Sequence, residues 1–291
     1  MKGGFPVATF PAYAKINLTL DVLGRRPDGY HDLRGVMQTV SLCDTLAAEP
    51  VDGPDVARAG DLPAGEDNLA VRAAAVFRAA TGLPERGLCV TIEKRIPVCA
   101  GLGGGSADAA AVLRYLRDRY APEMTGEALA KLGEAVGSDV PFCVRGGTYL
   151  AEGRGEVLTP LRDLPPCFIV LCKPEFPLST PALFRAIDAV EDLPRPDNDA
   201  ALAAIASGDL TALCRQVGNV FEAALTGDEA ETIRAIKARL VQNGALAAAM
   251  SGSGSAVFGI FADAAAAADA RAALLPDFPR TWVTEPVGPL I

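Results

Sequence analysis

With 291 residues, half of them apolar and 22% charged, the chain is long enough for two compact cores and far from a disordered composition. Its 27 basic and 36 acidic residues give a formal charge of −9, a balance that repels nucleic-acid backbones. Seven scattered cysteines without a C-x-x-C pair, a single histidine and no apolar run near the roughly 18 residues of a membrane span argue for reduced thiols, no structural metal, no membrane and a cytoplasmic setting.

From Ala14 the chain alternates: Ile16, Leu18, Leu20 and Val22 on one side of a strand, Lys15, Asn17, Thr19 and Asp21 on the other. One face packs, and the other is free for chemistry. Pro27 to Gly29 is a turn signal, and 36–42 returns to a β pattern, so an antiparallel pair is expected, with Tyr30 and His31 just past the turn. A helix over 67–80 follows, with Asp67 or Asn68 as N-cap and Gly82 as the stop, then a strand over 88–93. Next, Gly101, Gly103, Gly104 and Gly105 precede Ser106 and an amphipathic helix marked by Ala109, Val112, Leu113 and Leu116. A further helix over 125–136 ends at Gly137 and delivers the polar pair Ser138–Asp139, after which 142–158 reads as a hairpin.

Prolines 160, 165 and 166 flank a link, and 167–172 is a continuous apolar run suited to a strand buried on both faces. The domain boundary is placed there, which divides the chain into an N-terminal domain, 1–165, and a C-terminal domain, 166–291. Ser179 or Thr180 with Pro181 begins a helix, and helical patterns follow near 198–207, 209–224 and 228–242. The chain closes with strand, SGSGS turn, strand, helix, strand. Helices and strands mix without regular βα alternation, which makes α+β the expected class.

The glycine run is an anion-binding design, because bare backbone approaches phosphates closely and a helix N-terminus aims free N–H groups at them. No Gly-Lys-Ser/Thr follows it, so it is not a Walker A loop, and Ser106 stands where a dinucleotide fingerprint needs its third glycine. Lys15 and Asp139 each read alone as solvated charge, as do Arg25–Arg26 and Lys94–Arg95. Beside a phosphate loop, a lysine and a carboxylate form a sufficient local set for phosphoryl transfer. Tyr30 next to His31 pairs a stacking surface with a hydrogen-bonding ring, as a pyrimidine needs, although Tyr30 equally fits a packing role. Phe184 by periodicity alone is core, and SGSGS alone is a hairpin loop.

The segments AYAKINLTLDVLGRRPDGYHDL, PVCAGLGGGSADAA, GSDVPF and SGSGSAVFG, in this order and approximate spacing, resemble the successive signatures of the GHMP family of small-molecule kinases. The resemblance implies a two-domain GHMP kinase fold with ATP and acceptor in the cleft between the domains. It implies ATP with Mg²⁺, a small-molecule acceptor and no nucleic acid, and it leaves the oligomeric state open. Pro97, Val98, Cys99, Ala100, Gly101, Leu102, Gly103, Gly104, Gly105, Ser106 and Ala107 then wrap the ATP phosphates, with Asn68 nearer the adenine and Ser106 a contact to Mg²⁺ or phosphate. Lys15 and Asp139 match the catalytic pair, and Asn17 a substrate contact.

Within the family, K-I-N-L combined with R-P-D-G-Y-H is most similar to the branch acting on a cytidine-diphosphate-linked sugar alcohol of non-mevalonate isoprenoid synthesis. That implies Tyr30 and Phe184 sandwiching cytosine, His31 reading its edge, and Thr180 in the matching substrate segment. A homoserine or mevalonate type of kinase, or a non-catalytic nucleotide- or RNA-binding module, is the alternative. Cys99 stands where many relatives carry glycine, and Ser255 where a proline, alanine or other small residue is common.

Overall fold

The computed structural model describes residues 7–60, 62, 64–65, 67–83 and 87–291. Two sheets organise them. The first contains β1 (Ala8–Asn17), β2 (Thr19–Arg25), β3 (His31–Val51), β4 (Val56–Arg58), β5 (Gly87–Glu93), β6 (Thr148–Gly153) and β7 (Val157–Pro160), with the two-residue β9 (Gly218–Asn219) added parallel to β2. Its centre is β3, 21 residues long against the seven anticipated, which pairs antiparallel with β1, β2, β5 and β6 along its length. The chain is interrupted at Leu18, so the anticipated single strand is the pair β1 and β2.

Helix α1 (Leu69–Thr81) is capped by the Asn68 side chain, which accepts from the Ala70 N–H at 2.9 Å, and stopped by Gly82 in the left-handed region. It packs with α2 (Gly104–Tyr120) into the larger core, where Phe77, Leu113 and Phe142 are fully buried. Removing one such ring would cost about 3–5 kcal/mol through lost transfer energy and the cavity left behind. Helix α3 (Gly126–Gly133) leads to α4 (Val140–Arg145). The expected hairpin over 142–158 is therefore shorter: Pro141 in the first turn favours a helix through Arg145, Gly146 at φ 65° ends it, and only β6 and β7 pair.

The second sheet has the order β10 (Ala247–Met250), β11 (Val257–Phe261), β8 (Phe168–Cys172), β12 (Thr281–Thr284), all antiparallel. Its central strand shows why that stretch is apolar throughout: Ile169 and Leu171 enter the larger core, while Val170 and Cys172 enter a second core beneath α8 (Gly227–Gln242) and α9 (Ala264–Leu274). Around this sheet run α5 (Thr180–Ile187), α6 (Asn198–Ser207) and α7 (Leu210–Cys214). The helix expected over 209–224 divides into α7, β9 and a 3₁₀ turn at Val220–Ala224, because Asn219 caps that turn and donates to the Met250 and Gly252 carbonyls at 2.8 and 2.7 Å.

The sheets change over between Pro160 and Phe168, across the expected 165/166 division, whose first six residues lie outside the described ones. Packing crosses that division, since Ala201, Ala204, Ile205 and Leu213 join the larger core. The C-terminal segment also returns to the first sheet, where Val287 N–H donates to Thr39 O at 2.8 Å and Leu290 N–H to Arg145 O at 2.7 Å. Among the described residues, no helix is long and apolar enough to cross a membrane.

Candidate active site

The loop 94–103 joins β5 to α2 and lies against the turn 251–256 of the β10–β11 hairpin. Ala256 N–H donates to Ala100 O at 3.1 Å, and the Ser251 hydroxyl donates to Gly101 O at 3.0 Å. Gly101, at φ +72°, sits so close that a Cβ there would fall on the Ser251 carbonyl oxygen, far inside van der Waals contact. Two glycine turns distant in sequence thus interlock. Gly103 begins α2 without any side-chain cap and no acid lies in the first turn, so the helix end presents bare N–H groups.

A lysine stands just before the glycine run, at the residue after β5. A Cβ on Gly104 would press on Ile96 Cγ2 at 3.1 Å and stand in ordinary contact, 3.4 Å, with Lys94 Nζ, so the Lys94 ammonium lies close under the loop. Lys94 donates to Asp108 at 2.8 Å and pairs with the fully buried Asp44, whose other oxygen accepts from the Arg95 and Ile96 N–H groups at 2.6 and 2.8 Å. Burial pushes the Asp108 carboxyl up to about 7 against the opposing pull of Lys94. Lys94 had passed as surface charge. Its usable signal was position, at the end of a strand ten residues before Gly104.

Lys15 runs its stem beneath Gly103 and donates from Nζ to Asn17 Oδ1 at 2.8 Å. The same ammonium lies 3.5 Å from Asp139 Oδ2, the lysine side chain 6% exposed and the aspartate 37%. Asp139 is the N-cap residue of α4, yet its side chain makes no capping bond. Asn17 is tied in through its N–H to the Ser251 hydroxyl at 3.3 Å. The residues Lys15, Asn17 and Asp139 therefore meet where the two glycine turns meet.

Thr19 and Asp21, on the same side of the chain, instead anchor the structure. Thr19 Oγ1 donates to Asn198 Oδ1 at 2.6 Å, and Arg195 donates to Asp21 Oδ1 at 2.5 Å. With Arg34 on Asp199 at 2.6 Å, these contacts pin 188–199 along β2 and β3. Asp188 in this segment lies 2.8 Å from His31 Nε2, a partner sequence reasoning missed because 157 residues separate them.

His31 stacks on Phe184, ring centroids 4.7 Å apart and 22° from parallel, and Phe221 meets the Phe184 edge at 4.9 Å. Tyr30 is 57% exposed beneath the Arg154 guanidinium, 5.0 Å from its ring centre; among the described residues no ring contact joins it to Phe184. Thr180 shares a 2.6 Å hydrogen bond with Ser253 of the second glycine turn, linking this flank to the loop. Asn68 is buried with its carbonyl in the α1 cap, Cys99 is exposed at φ 51°, and Ser106 is half-buried in the first turn of α2. Among the described residues, no cluster of three or more His, Cys, Asp or Glu side chains suits a metal ion.

Residues 68–147 match the family model of the GHMP kinases N terminal domain, and 201–279 that of the GHMP kinases C terminal. The chain belongs to the GHMP kinases. Among GHMP kinases it is 46% identical over 283 residues to a 4-diphosphocytidyl-2-C-methyl-D-erythritol kinase of Moorella thermoacetica, covering 96% of this chain and 98% of that one. A solved 4-(cytidine 5'-diphospho)-2C-methyl-D-erythritol kinase superposes with TM-score 0.79 at 37% identity, over 97% of this chain and all of the other. A homoserine kinase from Cytophaga hutchinsonii superposes with TM-score 0.69 at 17% identity over 95% of each chain, a likeness of fold. This GHMP kinase accordingly has the family's α+β architecture and is an ATP-dependent kinase of small molecules.

Proposed function

We propose that this GHMP kinase transfers the γ-phosphoryl group of ATP to the 2-hydroxyl of 4-diphosphocytidyl-2-C-methyl-D-erythritol, in isoprenoid precursor synthesis. The identity to kinases named for that acceptor supports the substrate, and the 3.5 Å approach of Lys15 to Asp139 beside two interlocked glycine turns carries the mechanism.

ATP phosphates lie over 97–107, against the uncapped start of α2 and above the Lys94 ammonium. Asn68 flanks the adenine, its carbonyl already held in the α1 cap. Asp139 accepts the acceptor hydroxyl's proton as the new O–P bond forms and the bond to the ADP oxygen breaks. Lys15, fixed by Asn17, offsets the charge that develops between them. Asn17 also orients the acceptor. On the other flank Tyr30 and Phe184 enclose the cytosine, His31 meets its edge, and Thr180 lines the route to the loop. Phe184 carries His31 on one face, so a base takes that face only if one of the two rings moves.

Ser106, in the first turn of α2, is the side chain whose hydroxyl would hold a Mg²⁺ bound chiefly by the nucleotide phosphates. Such an ion would supply charge neutralisation on the phosphates. The protein is cytoplasmic on this reading, and its partners are small molecules.

The test is ADP release with Mg-ATP and the intact acceptor, run beside the same acceptor lacking its cytidine diphosphate. Turnover with the intact acceptor alone supports the reading; equal turnover with both, or with neither, contradicts it.

A further inference from the structure

The Lys15–Asp139 approach joins two separate bodies. Lys15 stands on β1 beneath the start of α2, whereas Asp139 rides on the N-terminus of α4. Asp139 makes no capping bond, and its contact with Lys15, at 3.5 Å, is a charge approach that does not fix direction. The position of its carboxylate therefore follows the placement of α4 as a unit.

One side chain ties α4 to α2 by hydrogen bonds among the described residues. Arg114, on α2, donates through Nη1 to the Cys143 carbonyl at 2.5 Å and to the Val144 carbonyl at 3.4 Å, at the C-terminal end of α4. No carboxylate lies within ion-pair distance of it among the described residues. Burial lowers its guanidinium to about 10, which leaves it cationic at neutral pH. A buried cation is costly, and here the carbonyls at the C-terminal end of α4 accept from it, with the Asp118 charge on α2 also in its favour. The carbonyl contacts exist only while α4 keeps its place.

We propose that Arg114 is a positioning residue for phosphoryl transfer, holding α4 and hence Asp139 at working distance from Lys15. It touches neither substrate. The inference rests on reading Lys15 and Asp139 as the reacting pair. Displacing a catalytic group by about 1 Å lowers turnover as much as 100-fold while leaving binding surfaces intact.

The experiment compares Arg114→Met, Arg114→Lys, Asp139→Asn and the double variant Arg114→Met/Asp139→Asn, measuring kcat, both KM values, Mg-ADP affinity and thermal midpoint. Arg114→Met is expected to lose about 10- to 100-fold in kcat, with KM and Mg-ADP affinity within about twofold. Arg114→Lys recovers most of that loss. In the Asp139→Asn background the Met substitution costs little further, because the group it positions is already disabled. Should Arg114→Met fail to fold, Arg114→Gln carries the same comparison. Wild-type kcat in the variants, KM rising in step with the kcat loss, or fully additive losses in the double variant overturn the proposal. Asp139→Asn alone reports separately on the underlying reading.

Discussion

The two ends of the proposed cleft are built by different means. At the nucleotide end the geometry is backbone: Gly101 presses on Ser251, Gly103 opens a helix, and Gly104 packs on Ile96. At the base end it is side chains from distant segments: His31 on Phe184 and Asp188, and the Asp21–Arg195 and Thr19–Asn198 contacts that hold 188–199 in place. A backbone site tolerates little change and binds a ligand common to many kinases. A side-chain site is retuned by single substitutions, which is where an acceptor specificity belongs.

The sharpest way to test the division is to remove the chemistry between the two ends. Lys15→Met and Asp139→Asn are expected to lower turnover by about 100- to 10,000-fold while the thermal midpoint and the affinities for both ligands stay near wild type. Near-normal turnover in both would remove the pair from the mechanism. Gly101→Ala attacks the nucleotide end alone: a β-carbon colliding with the Ser251 carbonyl at a left-handed φ should cost about 3 kcal/mol or more and abolish nucleotide binding. Thermal melting with and without Mg-ADP reads both effects.

His31→Ala attacks the base end, where acceptor KM should rise about 10-fold or more with ATP KM unchanged. A parallel rise in ATP KM would mean the two ends are not separate. The smallest effect is on stability against pH. The Asp108 carboxyl stands near 7 in the folded protein against 3.8 ordinarily, so the folded state holds its proton more tightly than the unfolded one. Asp108 therefore supports stability at low pH and loses that contribution as pH rises through about 7. Asp108→Asn cannot titrate, so its melting temperature relative to wild type should increase between pH 3.8 and about 7 and level off above. A constant difference across that range would contradict the shifted carboxyl.

The same contrast explains what could be read from the chain beforehand. Glycines 101–105 followed by an amphipathic helix, the α1 cap at Asn68 and Gly82, and the continuous apolar β8 are local patterns whose physics does not depend on distant partners. Lys15 and Asp139 became legible through their setting in recurring segments. Lys94 is not legible alone because its meaning comes from Asp44 and Asp108, 50 and 14 residues away. Asp188 and Arg195 escaped because their partners lie more than 150 residues away. Helix α4 reads from the sequence as part of a hairpin, since six residues carry too little periodicity to separate the two.

A crystal structure of the ternary complex with a non-hydrolysable ATP analogue and the intact acceptor tests the central claim most directly. The account predicts phosphates over 101–105, cytosine at Phe184 and His31, and the acceptor hydroxyl within hydrogen-bond reach of Asp139. A nucleotide triphosphate seated away from the glycine turns, or an acceptor hydroxyl remote from Asp139, would contradict it.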